Sequence, residues 1–397
     1  MLEGAAARSS SVRTTAGLSL LALGIGYAAA VVGPPVAAIA RDFDVSLSTV
    51  GALQSALYAA TALGPIAAAP LVHRVGPLHA VWIGSLLLAA GSALAAASPV
   101  FAGVLAGRVV SGLGIALGLV VGPVAARQLG MTALGLFGAG IPLGTGLALA
   151  VGGMLEDADV TWRAGFAIAA ALGLVGSPLI RGPLALPVAA AKGALRRFLR
   201  EAARRLAFWE LMLLYVFTNL VPLVISTWLI HYLTAGGNMG PGVAGALGFA
   251  LFGATTVARV AGARPGRVGQ PTLILASTLL AAAALVALAL DRSPAVAAPA
   301  VVVLGVGFAL PYAVMISRSQ SLDPEDPAVA MSVVQVLPNA MPVLAIPLMG
   351  WALDRGDGDA AFVAFAVYAL VTAVANVRWR SSPAARTSAS SPGRPAS

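Results

Sequence analysis

Residues 50–76 read VGALQSALYAATALGPIAAAPLVHRVG, a long apolar run that ends at His73-Arg74-Val75-Gly76, where charge and a turn residue arrive together. The run returns later: residues 244–269 read AGALGFALFGATTVARVAGARPGRVG. Gly51, Ala52, Leu53, Ala56, Leu57, Ala60 and Thr61 recur at one constant spacing as Gly245, Ala246, Leu247, Ala250, Leu251, Ala254 and Thr255. Alanine and leucine recur by chance in so apolar a chain, so the stronger sign is the shared exit, Arg74-Val75-Gly76 against Arg267-Val268-Gly269. The pair reads as two related halves of one membrane protein.

Composition agrees. Of 397 residues, 59% are hydrophobic and 10% charged, against about 25% charged in an ordinary soluble domain. So few charges cannot cover a water-soluble fold. Apolar runs of roughly 20 residues, enough to cross about 30 Å of hydrocarbon, recur from end to end. Open sheets leave unpaired edges in lipid, and the runs lack the alternation of a barrel, so the chain is an all-α polytopic membrane protein. The net charge of +9 belongs to loops that set orientation, and no nucleic acid is expected as a partner. With no cysteine, disulfides and thiol chemistry are excluded; His73, His79 and His231 are too scattered for a metal site. No cofactor is expected. The basic residues are Arg except for Lys192, and Ala and Gly abound, which points to a GC-rich bacterial genome.

Twelve spans follow from the runs: 18–40, 50–72, 78–97, 101–126, 132–155, 164–180, 208–233, 242–263, 271–290, 295–316, 328–353 and 360–377. They divide the chain into an N-terminal six-helix bundle (1–181), a basic cytoplasmic linker (182–206), a C-terminal six-helix bundle (207–380) and a disordered cytoplasmic tail (381–397). In the linker, Lys192, Arg196, Arg197, Arg200, Arg204 and Arg205 share a stretch with Leu195, Phe198, Leu199 and Leu206. That pattern fits either a helix on the membrane surface or a solvated connection. With both termini inside, the outer loops carry only Arg41, Arg163, Arg292 and Arg355 of the 24 basic residues. The bias places both termini in the cytoplasm of a bacterial plasma (inner) membrane. The apolar run after residue 15 is too long for a cleaved signal.

Two six-helix halves, a basic central loop and a short inner loop after the second span resemble the major facilitator superfamily over about residues 15 to 380. In that family the loop after the second helix reads Gly-x-x-x-Asp-Arg-x-Gly. Here Ala69 to Gly76 keep Arg74 and Gly76, with His73 where the family has Asp, so the resemblance implies a gating loop whose charge latch is weakened or rebuilt. Arg108-Val109-Val110-Ser111-Gly112-Leu113-Gly114 resembles the Arg-x-x-x-Gly-x-Gly pattern of proton-coupled members, and Trp162-Arg163-Ala164-Gly165-Phe166 resembles the family's Trp-Arg-x-x-Phe. The resemblance implies two pseudo-symmetric six-helix bundles around a central cavity.

A charge within hydrocarbon costs about 2.5–3.5 kcal/mol on insertion scales, so an intramembrane ion is a functional candidate. Arg108 is the foremost. It reads either as a cation facing the cavity or as a structural residue bonded to carbonyls of a neighbouring helix. Arg259, near the inner end of its span, reads mainly as snorkelling to the surface. The first six spans hold no Asp or Glu, so proton coupling would fall to Glu210, His231 or Asp42. Gln54, Tyr58, Tyr215, Asn219, Gln335 and Asn339 are uncharged candidates for substrate or for interhelical bonds. The expected function is secondary transport of a small organic solute, drug-like or a metabolite and moved by efflux, through a monomer in a lipid bilayer with protons as a possible coupling ion. The alternatives are a small-anion transporter of the cyanate or nitrate type using Arg108, and a non-transporting membrane sensor. No nucleophile–base or metal set marks an enzyme.

Overall fold

The structure, a computed structural model, describes residues 2–182, 184, 204–236, 239–262, 269–322, 334 and 340–378. Among these every regular element is helical. The expected first span, 18–40, is two helices: α1 (Leu2–Ala30) stops and a short α2 (Val36–Phe43) follows. Pro34 and Pro35 have no N–H for the Ala30 and Val31 carbonyls, and the Gly33 N–H turns back to Ala30 at 2.9 Å.

α3 (Leu47–Val75) begins at Ser46, whose hydroxyl accepts from the Thr49 N–H at 3.1 Å. It ends at Gly76, φ +82°, which leads directly into α4 (Pro77–Ala97). α5 (Phe101–Leu129) and α6 (Met131–Asp157) are likewise joined by a single residue, Gly130, and α7 (Arg163–Val175) follows. α8 (Leu206–Thr234) is one helix with a π turn at Val216–Leu220. Pro222 offers no N–H to the Thr218 carbonyl, and the helix widens there.

α9 (Pro241–Gly262) and α10 (Gln270–Leu290) come next. The expected span 295–316 is divided into α11 (Pro294–Ala309) and α12 (Tyr312–Leu322), because Pro311 cannot donate to Gly307. α13 (Pro342–Asp354) and α14 (Gly358–Arg378) complete the described chain. Among the described residues nine helical stretches are long and apolar enough to cross a membrane, with Pro294–Ser319 counted as one across the Pro311 break. The 29-residue α3 occupies the second expected span. Two shorter apolar helices, Arg163–Leu179 and Pro342–Asp354, stand at the sixth and eleventh.

In the first group, α1 packs on α5, α6 and α7, α4 on α5 and α7, and α3 on α5; in the second, α9 and α10 pack on α11 and α10 on α14. The groups meet through α6 with α9 and α3 with α13. The duplicated stretch lands on α3 and α9, and it repeats contacts as well as letters. Thr61 Oγ1 lies 2.9 Å from the Leu57 carbonyl and 3.2 Å from that of Gly112 on α5. Thr255 Oγ1 lies 2.9 Å from the Leu251 carbonyl and 3.2 Å from that of Gly305 on α11. Lipid supplies no hydrophobic force between helices, so small residues and such shared bonds hold them together.

Close approach is tightest between α1 and α6, where a Cβ on Gly26 would run into the Ile141 carbonyl and one on Gly144 into that of Leu23. Gly26→Ala and Gly144→Ala are each expected to cost about 1–3 kcal/mol. Gly135→Ala and Gly138→Ala, where a Cβ meets nothing within 4 Å, should be tolerated. Melting curves in detergent test this, and equal losses at all four positions would contradict it.

Candidate functional site

At one end of the bundle the two groups are fastened by carboxylates on helix N-termini. Asp157, the last residue of α6, accepts from the Gly242 N–H of α9 at 2.9 Å. Asp354, the last residue of α13, accepts from the Leu47 and Ser48 N–H groups of α3, both at 3.1 Å. An N-terminus has unpaired N–H groups and the positive end of the helix dipole, so an anion there satisfies both. Each group supplies one carboxylate and one N-terminus. The seal continues inward: Ser55 Oγ donates to the Val343 carbonyl at 2.7 Å. A Cβ on Gly146 would touch Phe252 Cβ at 3.1 Å. Further along α6, at Gly138 and Gly135, an added Cβ meets open space.

Arg108 sits wholly buried within the first group. Its Nη1 donates to the Ala28 carbonyl at 2.8 Å and its Nη2 to Gln54 Oε1 at 2.7 Å. Gln54 Nε2 in turn donates to the Ala29 carbonyl. These carbonyls belong to the last turn of α1, which breaks off ahead of Gly33-Pro34-Pro35. The guanidinium thus caps a helix C-terminus, where unpaired carbonyls and the negative dipole end replace a carboxylate. Phe166 flanks it, the ring centroid 5.8 Å away. Tyr58, the next candidate along α3, is buried beside Gln54 and Arg108. Arg108 and Gln54 together brace α1, α3 and α5.

The remaining expected residues scatter. Tyr215 Oη accepts from Ser319 Oγ at 3.2 Å across α8 and α12. Asn219 lies in the π turn and donates to the Tyr215 carbonyl at 3.1 Å. Glu210, one of the proton-coupling candidates, lies within electrostatic reach of Arg318 on α12, while Arg205 donates to the Leu322 carbonyl at 3.3 Å. Arg318, just beyond the expected end of its span, is buried and donates to Asn376 Oδ1 at 2.9 Å. His231 is half-buried within electrostatic reach of Asp354, so it belongs to the sealed end. Asp42 accepts from Trp162 Nε1 at 2.9 Å and lies 3.6 Å from Arg163 Nη2. Gln335 and Asn339 lie outside the described residues, as do the tail and most of the linker. A small cleft beside Tyr27, Glu156 and Trp162 is lined by residues of the first group.

A family model described as Major Facilitator Superfamily matches residues 18–337. The chain belongs to that superfamily. It is accordingly a transporter rather than an enzyme, and a multi-pass membrane protein. Several superfamily structures share its fold. A bacterial homologue of the human lysosomal transporter Spinster, inward-facing and unoccupied, superposes with a TM-score of 0.74 at 16% identity, covering 98% of this chain and 99% of that one. A D-xylose–proton symporter gives 0.71 at 17% identity, covering 92% and 97%. The nucleoside transporter NupG gives 0.70 at 14% identity, covering 92% and 99%. No curated protein matches the sequence.

The superfamily's loop after the second helix is the single residue Gly76 here, with His73 and Arg74 exposed beside it.

Two expectations follow for this superfamily member. Gln54→Leu leaves both the guanidinium and the Ala29 carbonyl short of a partner and should cost about 1–3 kcal/mol. Combined with Arg108→Leu it should cost less than the two separate losses summed, and additive losses in detergent denaturation would contradict the brace. At the sealed end, spin labels at Val100→Cys and Ala360→Cys occupy exposed positions in a chain without native cysteine. Asp157→Ala with Asp354→Ala should lengthen the distance between them. The Asn variants, whose amide oxygen still accepts, should preserve it. Identical distributions in all three proteins would remove the caps as fasteners.

Proposed function

We propose that this chain is a secondary transporter that moves a small organic solute across a bacterial plasma membrane by alternating access between two six-helix halves. The observation that carries the reading is the uneven contact between the groups. They are fastened at the Asp157 and Asp354 caps and packed through Gly146 and Phe252, yet Gly138 and Gly135 face open space beyond. A path closed at one end and open at the other is one state of a rocking transporter. The basic bias of the loops puts the termini, and so the open end, on the cytoplasmic side. The solute path runs between α3, α6, α9 and α13, and a monomer suffices to form it. Glu210 and His231 are the ionisable groups through which protons would couple, His231 by its place beside Asp354. Efflux is the proposed direction.

Reconstituted liposomes test the reading. Saturable flux of at least one solute from a panel of sugars, peptides, organic anions and hydrophobic amines is expected, and a pH gradient of either sign should show the direction and any proton coupling. Absence of flux for every class in folded, oriented protein would move the chain to the sensor reading.

A further inference from the structure

Arg108, Arg259 and Arg318 lie in described membrane helices with side-chain groups buried against their neighbours, and two of the three are occupied. Arg108 is held by the Ala28 carbonyl and Gln54, and Arg318 by Asn376 and the nearby Glu210. Arg259 is not. Its guanidinium carbon lies 4.3 Å from the Tyr312 ring centroid, and its Nε is buried without a hydrogen-bond partner. The ion pairs among the described residues, Arg163–Asp42 and Arg292–Asp359, do not include it.

Its place on α9 says what it faces. Pro241, Gly245, Gly248 and Phe252 form the stripe that meets α6, and Arg259 continues it two turns on, seven residues past Phe252 as Phe252 is seven past Gly245. Contacts between Gly153 and Gly245, Leu149 and Gly248, and Gly146 and Phe252 fix an antiparallel register. That register sets Arg259 opposite Gly138, where a Cβ would meet nothing within 4 Å. A planar cation is therefore stacked on an aromatic ring, unanswered by any described carboxylate, on the face of α9 that runs on from the contact with α6 toward the level of Gly138.

We propose that Arg259, oriented by Tyr312, is an oxyanion subsite at the open end of the path, taking the carboxylate or phosphate group of an organic anion. Arginine suits this because its fork of N–H donors matches two oxygens at once while its face stays on the ring. The same chemistry is offered by a lipid phosphate from the membrane surface. As a step in transport the assignment rests on the reading above; as a binding site it is testable without flux.

The full chain in uncharged detergent is melted with sodium benzoate or phenyl phosphate against sodium chloride of equal ionic strength. In parallel it is melted in phosphatidylcholine nanodiscs with and without phosphatidylglycerol. The organic oxyanions should raise the melting temperature with concentration. The rise should be lost in Arg259→Gln, reduced in Arg259→Lys and kept in Tyr312→Phe, each checked as folded by circular dichroism and size exclusion. An Arg259-dependent rise with phosphatidylglycerol alone would assign the oxyanion to a lipid headgroup. No rise with either source, or a rise that survives Arg259→Gln, overturns the subsite, whatever the liposomes show.

Discussion

The structure depends on how a chain with so little charge satisfies its polar groups where there is no water. The recurring answer is a short polar side chain that reaches the carbonyl of a glycine on the next helix. Thr61 does this to Gly112, and Thr255 does it to Gly305. Only a glycine lets the backbones come near enough, and only a partner hydroxyl gives the contact an orientation. Because the contact occurs once in each group, both copies of the repeated helix are pinned in the same way. Their N-termini are therefore presented alike, each to the carboxylate of the opposite group.

The buried cations obey the same rule. The first six spans hold no acid, yet Arg108 is sealed among them. What permits this is the broken first helix. A diproline follows where the helix stops, and the carbonyls of its last turn give a guanidinium somewhere to donate. Helix ends thus stand in for ions twice over: N-termini answer aspartates at the sealed end, and a C-terminus answers arginine in the interior. In the second group Arg259 lies instead against the ring of Tyr312, just past the break at Pro311.

Much of this was written in the chain. Apolar length marked the helices, and the repeat of Leu57, Ala60 and Thr61 as Leu251, Ala254 and Thr255 named the residues that make matching bonds. Both readings of Arg108 were visible, and the choice between them turned on Pro34-Pro35, which length alone had merged into one span. The interhelical partners were not legible. Asp354 reaches Leu47 across 307 residues of sequence and Asp157 reaches Gly242 across 85, and no local pattern records such pairings. Arg318 was missed because hydrophobicity faded before it. The Tyr312 ring against Arg259 is not legible either, because a helix end alone gives no sign of an aromatic side chain beyond Pro311.

The joints between helices decide how such a molecule can move. α3 and α4 are linked by Gly76 alone, and α5 and α6 by Gly130 alone. One residue spans at most about 3.6 Å, so neither hairpin has slack at its joint. A 29-residue helix such as α3 is about 43 Å long. Pivoted at its capped end, it acts as a lever, and a tilt of about 10° carries its far end through roughly 7 Å. A few broken hydrogen bonds at the fulcrum would thus be geared up into the passage of a whole solute.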